Sequence, residues 1–216
     1  MKVTAVTATY ERPDALRLCE KYLARQTRPP DQWLVLDGKE RMQRKVLDAI
    51  DAGKIEGDVI VWFEDDDWYR PDWISWCAEQ IEKGYELVGE GHAAYYNVAF
   101  RWWSECRNVR HAALCQTAMH ADLLPTLANV IRSYDWPFFD VRIWQVECGK
   151  FLALPKTAAQ RRVLGIKGIR GLDRVFGYSG EHRDRLPGGA RSDPSLLQLW
   201  KWVGDDAQNY SGFRFS

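Results

Sequence analysis

The chain has 216 residues, 46% of them hydrophobic and 28% charged. That length fits one domain, or one domain with a compact extension, with enough apolar sequence for a sizeable core. Thirty Lys and Arg balance thirty Asp and Glu, which excludes a global field for polyanions, so any nucleic-acid or membrane surface must be a local patch. The β-branched run Lys2 to Thr9 predicts a strand. Pro13 opens a helix of about three turns, with apolar residues at Ala15, Leu16, Cys19, Tyr22 and Leu23, and Pro29-Pro30 stops it. Trp33 to Leu36 is a short strand ended by Asp37-Gly38, and Glu40 to Ala52 a helix closed by Gly53. Asp58 to Phe63 reads as a buried strand running straight into Glu64-Asp65-Asp66-Asp67; Pro71 to Lys83 follows as helix and Glu86 to Gly89 as strand. This βαβα order predicts an α/β fold whose mostly parallel sheet is flanked by helices, with ligands beyond the carboxyl ends of the strands. The second half gives a strand over Ala112 to Met119, a helix over Asp122 to Tyr134, a loop from Gly165 to Gly189 and a closing helix over Leu196 to Val203.

Five scattered cysteines, Cys19, Cys77, Cys106, Cys115 and Cys148, form no CxxC pair. They argue against a disulfide framework or a zinc knot and suit a reducing cytoplasm. The opening MKVTAVTATY lacks a signal-peptide layout. No apolar run nears the ~18 residues of a spanning helix, so no membrane insertion is expected. Eleven tryptophans are several times the usual share. Most are expected in the core, the rest as stacking platforms for sugars or bases.

Four consecutive carboxylates at the end of a buried strand repel one another. A divalent cation is the simplest compensation, and hard oxygen ligands select magnesium, manganese or calcium. At this point the chain resembles the GT-A-fold glycosyltransferases of the family-2-like group. VTAVTATYERPDAL is similar to that family's first strand and nucleotide loop, and QTRPPDQWLVLDGK to its second strand and acidic turn. VIVWFEDDDWYRPDWI resembles its metal-binding strand end, and VLGIKGIRGLDRVFGYSGEH its late basic loop ending in histidine. The resemblance implies a GT-A (Rossmann-like) fold in a single domain with a C-terminal extension. Residues 1–100 would form the nucleotide-sugar-binding half, and residues 101–216 the acceptor-binding half with the closing loop and helix.

By that resemblance Thr7, Thr9, Tyr10 and Arg12 line the nucleotide, Asp37 meets the base or ribose, and Glu64 or Asp65 faces the ribose. Asp66 is the principal ligand of Mn2+ or Mg2+, with Asp67 beside it and His182 as a late ligand or diphosphate contact. Lys167 and Arg170 lie in the same late loop. From Lys156 to Arg191 nine Lys and Arg stand against three Asp and Glu, which suits a clamp on the departing diphosphate. In FFDVRIWQ, Asp140 matches the family's general base for an inverting transfer, although Phe139 stands where an acid usually precedes it. Glu147 and Glu105 are the next candidates.

The donor is expected to be a nucleotide sugar, with UDP favoured. The leading acceptor is a hydroxymethylated pyrimidine in DNA, as for phage-type DNA-modifying enzymes, which would place the chain in a host cytoplasm. Arg101, Trp102 and Trp103, with Arg107 to His111, Arg183 and Arg185, interleave basic and aromatic residues as that role requires. A polysaccharide or other glycan is the competing acceptor. A pure nucleic-acid-binding module would have no use for the acidic run. A nucleotidyltransferase would carry a glycine-rich loop after the first strand, and Ala8 to Asp14 holds no glycine.

Overall fold

The computed structural model describes residues 1–134, 139–169 and 189–213. Its first elements follow the sequence pattern closely: β1 (Val3–Thr9), α1 (Pro13–Ala24), β2 (Gln32–Asp37), α2 (Met42–Asp51) and β3 (Val59–Trp62). α1 takes Pro13 in its first turn and buries Ala15, Leu18, Cys19, Tyr22 and Leu23 along one stripe. β4 (Trp68–Tyr69), α3 (Trp73–Glu82), β5 (Leu87–Glu90), β6 (Ala94–Asn97) and β7 (Trp102–Glu105) come next. After them run β8 (Thr117–His120), α4 (Leu124–Ser133), α5 (Phe139–Ile143), β9 (Lys150–Ala153), β10 (Val163–Lys167), β11 (Arg191–Ser192) and α6 (Leu197–Val203).

Six strands form the main sheet in the order β2-β1-β3-β8-β5-β9. β1 pairs in parallel with β2 and β3, and β5 with β9, while β8 runs antiparallel to both its neighbours. The expectation of a mostly parallel sheet therefore holds, with β8 as the inverted strand. Both faces are covered, so β3 is buried throughout. Val59 and Val61 point to one apolar cluster with α1 and α3, and Ile60 and Trp62 to another with α2, α4 and α5.

A second sheet, β11-β7-β6-β10-β4, shares the first cluster through Tyr96, Val163, Leu164 and Ile166. Residues beyond 100 supply β8 and β9 to the main sheet, and β10 and β11 pair with β4, β6 and β7, so the two proposed halves interleave. Two expectations for the second half are corrected. Only Thr117 to Met119 of the expected strand is extended, running on to His120; Leu114–Gln116 is a 3-10 turn, closed by Gln116 N–H and the Thr117 hydroxyl donating to Ala113 O. The expected late loop begins as β10, because Gly165 has no Cβ to run into the Tyr95 ring beside it. Among the described residues no helix is long and apolar enough to cross a membrane.

Candidate functional site: a buried acidic turn between two sheets

Glu64 to Asp67 link β3 of the main sheet to β4 of the second, so the acids sit where the two sheets meet. Parallel register sets Thr9 beside Asp37 and Val6 beside Trp62, which brings the carboxyl ends of β1, β2 and β3 to the same edge. The turn is held from behind. Glu64 N–H donates to the Tyr69 hydroxyl at 2.7 Å, and that ring stacks on Phe63 at 3.7 Å. The Trp68 indole N–H donates to Asp206, which is also paired with Arg25. Asp206 belongs to the 3-10 turn Gly204–Tyr210 that follows α6, so the end of the described chain braces the turn.

The acids are not alone. Arg12 forks across two of them, Nη1 to Asp65 Oδ1 at 2.8 Å and Nη2 to Asp66 Oδ2 at 2.9 Å. The Thr9 hydroxyl donates to the other Asp65 oxygen at 2.8 Å. Lys167, at the end of β10, places Nζ 3.3 Å from Asp66 Oδ2 and 3.2 Å from Asp67 Oδ1. Ile166 N–H also donates to Asp67 Oδ1. Asp67 Oδ2 is buried without a nitrogen or oxygen donor among the described residues.

Proton affinities follow from this geometry. Burial pushes Asp65 up to about 6 against the pull of Arg12. Burial also acts to raise Asp66, but the charges of Lys167 and Arg12 outweigh it and draw it down to about 2. Asp67 is raised by burial and by Asp66, and Glu64 well raised by burial and by Asp67. Burial opposes the charge on Lys167, yet the three acids around it hold its proton affinity well above the ordinary lysine range. Two cations thus face four carboxyl groups, and the shortfall falls on Glu64 and Asp67, whose raised proton affinities answer it.

Not every sequence candidate reaches this site. Thr7 is fully buried, its hydroxyl donating to Phe63 O and accepting from the Trp33 indole, so that hydroxyl braces β1 against its neighbours. Arg12 is occupied by the acids. Tyr10 is half-exposed and Asp37 exposed at the edge, both available to a ligand. The neighbouring charge of Glu11, with burial a smaller cause, raises the Tyr10 hydroxyl. Asp66, expected to lead the metal ligands, gives its Oδ2 to both Arg12 and Lys167. Among the described residues, the ligand atoms that come together, all within 4.8 Å of one another, are those of Glu64, Asp67 and Cys115.

Asp140 lies in the short α5, close enough for its charge to raise Glu64. Burial raises its own carboxyl, offset by the N–H groups of Val141 and Leu114 and by the charge of His111. Of the fallback bases, Glu105 is paired with Arg161 at 3.0 Å and Glu147 is exposed. Arg101 is buried and donates to Ser211 O, whereas Trp103 packs edge-on against Trp202 at 5.2 Å beneath the Arg191 guanidinium. Trp102 stays half-exposed, and Arg107 and Arg110 are exposed. Arg170, His182, Arg183 and Arg185 lie outside the described residues.

Two residues at the site were not singled out from the sequence. Lys45 donates to Thr9 O at 2.8 Å and Gly38 O at 3.0 Å, tying the ends of β1 and β2. Its position in α2 resembles any solvated helix lysine until the strands are paired. Cys115 is carried to the acids by β8, a relation absent from local sequence.

No family model and no curated protein sequence matches the chain. Solved structures do resemble it. S. aureus TarS 1–349 superposes with a TM-score of 0.54 at 9% identity, over 77% of this chain and 60% of that one. TarS 1–349 in complex with UDP-GlcNAc gives 0.51 at 11% identity, over 77% and 58%. The longer S. aureus TarS gives 0.53 at 11% identity, over 77% and 37%. The chain therefore spans less than two thirds of each TarS structure, and over the matched region the two share an α/β fold.

Proposed function

We propose that the chain is a glycosyltransferase that moves a sugar from a nucleoside-diphosphate sugar, UDP-linked by preference, to an acceptor hydroxyl with inversion. The observation that carries this reading is the incompletely neutralised acidic turn at the carboxyl end of β3, with Asp140 within electrostatic reach. That edge is where ligands of such sheets bind. The TarS fold, solved elsewhere with UDP-GlcNAc, supports the donor class.

In the proposed reaction the acceptor oxygen attacks the anomeric carbon and its proton passes to the Asp140 carboxylate. The bond from that carbon to the diphosphate breaks, and the leaving group takes the electron pair. Lys167 is placed to meet the charge that builds up there. Asp37 and Tyr10, at the open edge, face the nucleoside. Arg12 and Thr9 hold Asp65 and Asp66 in position.

A divalent cation, Mn2+ or Mg2+, belongs to this proposal. The residues fit one, since the buried Asp67 Oδ2 and a Glu64 oxygen lie together as hard ligands of the kind such a cation takes. Glu64 and Asp67 would hold it, and when bound it would neutralise charge on the diphosphate.

For the acceptor, hydroxymethylpyrimidine DNA is the reading to test against a glycan. It rests on the accessible Trp102, Arg107 and Arg110 rather than on Arg101 and Trp103, which are committed to packing.

A thermal-shift panel tests the class. A nucleotide sugar that binds the folded state should raise the melting temperature by mass action. A shift with UDP-sugars, larger with manganese than with chelator, is expected. No shift with any nucleotide diphosphate would overturn the proposal.

A further inference from the structure

The antiparallel pairing of β3 with β8 runs Val59 to His120, Ile60 to Met119 and Val61 to Ala118. Continued past the end of the ladder, this register sets Glu64 across from Cys115. The 3-10 turn Leu114–Gln116 holds the thiol there, and Cys115 is only 4% exposed. Its sulfur and one carboxylate oxygen each of Glu64 and Asp67 lie within 4.8 Å of one another, a spacing that a single ion can span. Asp67 divides its oxygens. Oδ1 serves Ile166 N–H and Lys167, while Oδ2 is buried with no nitrogen or oxygen donor among the described residues, and the Cys115 thiol is near enough to donate to the carboxylate.

We propose that the Cys115 sulfur is the third ligand of the divalent-cation site formed with Glu64 and Asp67, giving it two oxygens and one sulfur and a preference for thiophilic ions over magnesium. The proposal rests on the cation reading of the acidic turn and deepens it by naming the ligand set. Carboxylate oxygens alone would accept magnesium and manganese alike. A thiolate favours the later first-row ions, so cobalt and zinc should bind more tightly than manganese, and manganese more tightly than magnesium. As the ion enters, the S–H bond breaks, the proton passes to solvent, and a metal–sulfur bond forms without change of oxidation state. The lysine remains on Oδ1, so its positive charge weakens the site without occupying it.

The test uses the chelator-treated full chain with Co2+ as probe, without donor or acceptor. The expected result is a near-ultraviolet sulfur-to-cobalt charge-transfer band that saturates at a single ion per chain, with release of a proton. The band should survive Cys106→Ser and Cys148→Ser, and vanish in Cys115→Ser with affinity lower by at least about tenfold. Zinc should abolish the band at lower concentration than manganese, and magnesium should leave it. Should Cys115→Ser fail to fold, Glu64→Gln keeps the sulfur and must weaken the band's saturation to a similar degree. Cobalt binding without the band, a band that outlasts Cys115→Ser, or no cobalt binding would each overturn the proposal. Failure here is separable from failure of the enzyme reading. Turnover of a UDP-sugar with magnesium and no sulfur band sinks only the ligand assignment, whereas a sulfur band in a chain that binds no nucleotide sinks only the transferase.

Discussion

Two buried acids at strand ends behave in opposite ways. Glu90 ends β5, is fully buried, and has both oxygens engaged by Arg162, one by the backbone N–H and one by Nη1, each at 2.9 Å. Arg162 continues to Asp72, which Arg70 grips through two nitrogens, so two cations match two acids even though Arg162 Nε makes no hydrogen bond among the described residues. The acidic turn after β3 buries Asp65, Asp66 and Asp67 and half-buries Glu64, and its charges do not match, with four acids against two cations. Burial alone therefore does not mark a site. A network whose charges match holds the fold, and one left unmatched is a candidate for a ligand.

The largest effect expected from breaking this contrast is on turnover. Asp140→Asn should slow sugar transfer by roughly a hundredfold or more at unchanged donor affinity, the cost of losing a general base. Because burial raises the Asp140 carboxyl above its ordinary ~3.9, the parent's rate should climb with pH through that raised value as the base ionises. A flat profile, or normal turnover in the variant, would assign the base elsewhere.

Glu90→Gln should cost about 3 kcal/mol in urea unfolding, because it leaves the Arg162 guanidinium without its carboxylate. Activity per folded molecule should persist. Asp67→Asn should abolish cation binding at a smaller cost in stability, because Asn keeps an oxygen for Ile166 N–H and removes one of four clustered, mutually repelling acids. If Asp67→Asn unfolds the chain and Glu90→Gln does not, the contrast between matched and unmatched networks is wrong.

Much of the donor half was legible in the sequence. β1, α1, β2, α2 and β3 begin and end within about two residues of their expected limits, since apolar period and the Pro and Gly punctuation are local signals. The acids stood out for the same reason. Cys115 and Lys45 did not, because one meets Glu64 only through the β3–β8 register and the other needs β1 beside β2. The second sheet was hidden likewise. β4, β6 and β10 are two to five residues long, and β10 pairs with β6 across 70 positions of chain and with β4 across 94 to 96. Thr7 shows the converse failure, where a residue placed by resemblance proves to brace the strand interior.

A pH series sharpens the picture of the turn. Asp65, raised to about 6, favours folding below its unfolded value of ~3.9 and loses that contribution as pH climbs to about 6. Asp66, lowered to about 2, acts oppositely, stabilising above ~3.9 and losing that as pH falls toward 2. Unfolding free energies of Asp65→Asn should therefore lack the decline between about pH 4 and 6 that this group imposes on the parent. A decline of equal size in both would place its source outside the turn. On the surface, Trp102→Ala should weaken binding to hydroxymethylated DNA by about 1–3 kcal/mol if the ring stacks on a base, with stability within about 0.5 kcal/mol. Unchanged DNA binding would favour the glycan acceptor.

The central claim is that the open acidic turn holds a nucleotide diphosphate through a divalent cation. Calorimetry of uridine diphosphate binding, with manganese and then with excess chelator, tests it most directly, with Asp67→Asn as the matched variant. The expected result is binding that chelator abolishes and that Asp67→Asn lacks even with manganese. Equal affinity in all three conditions would contradict it.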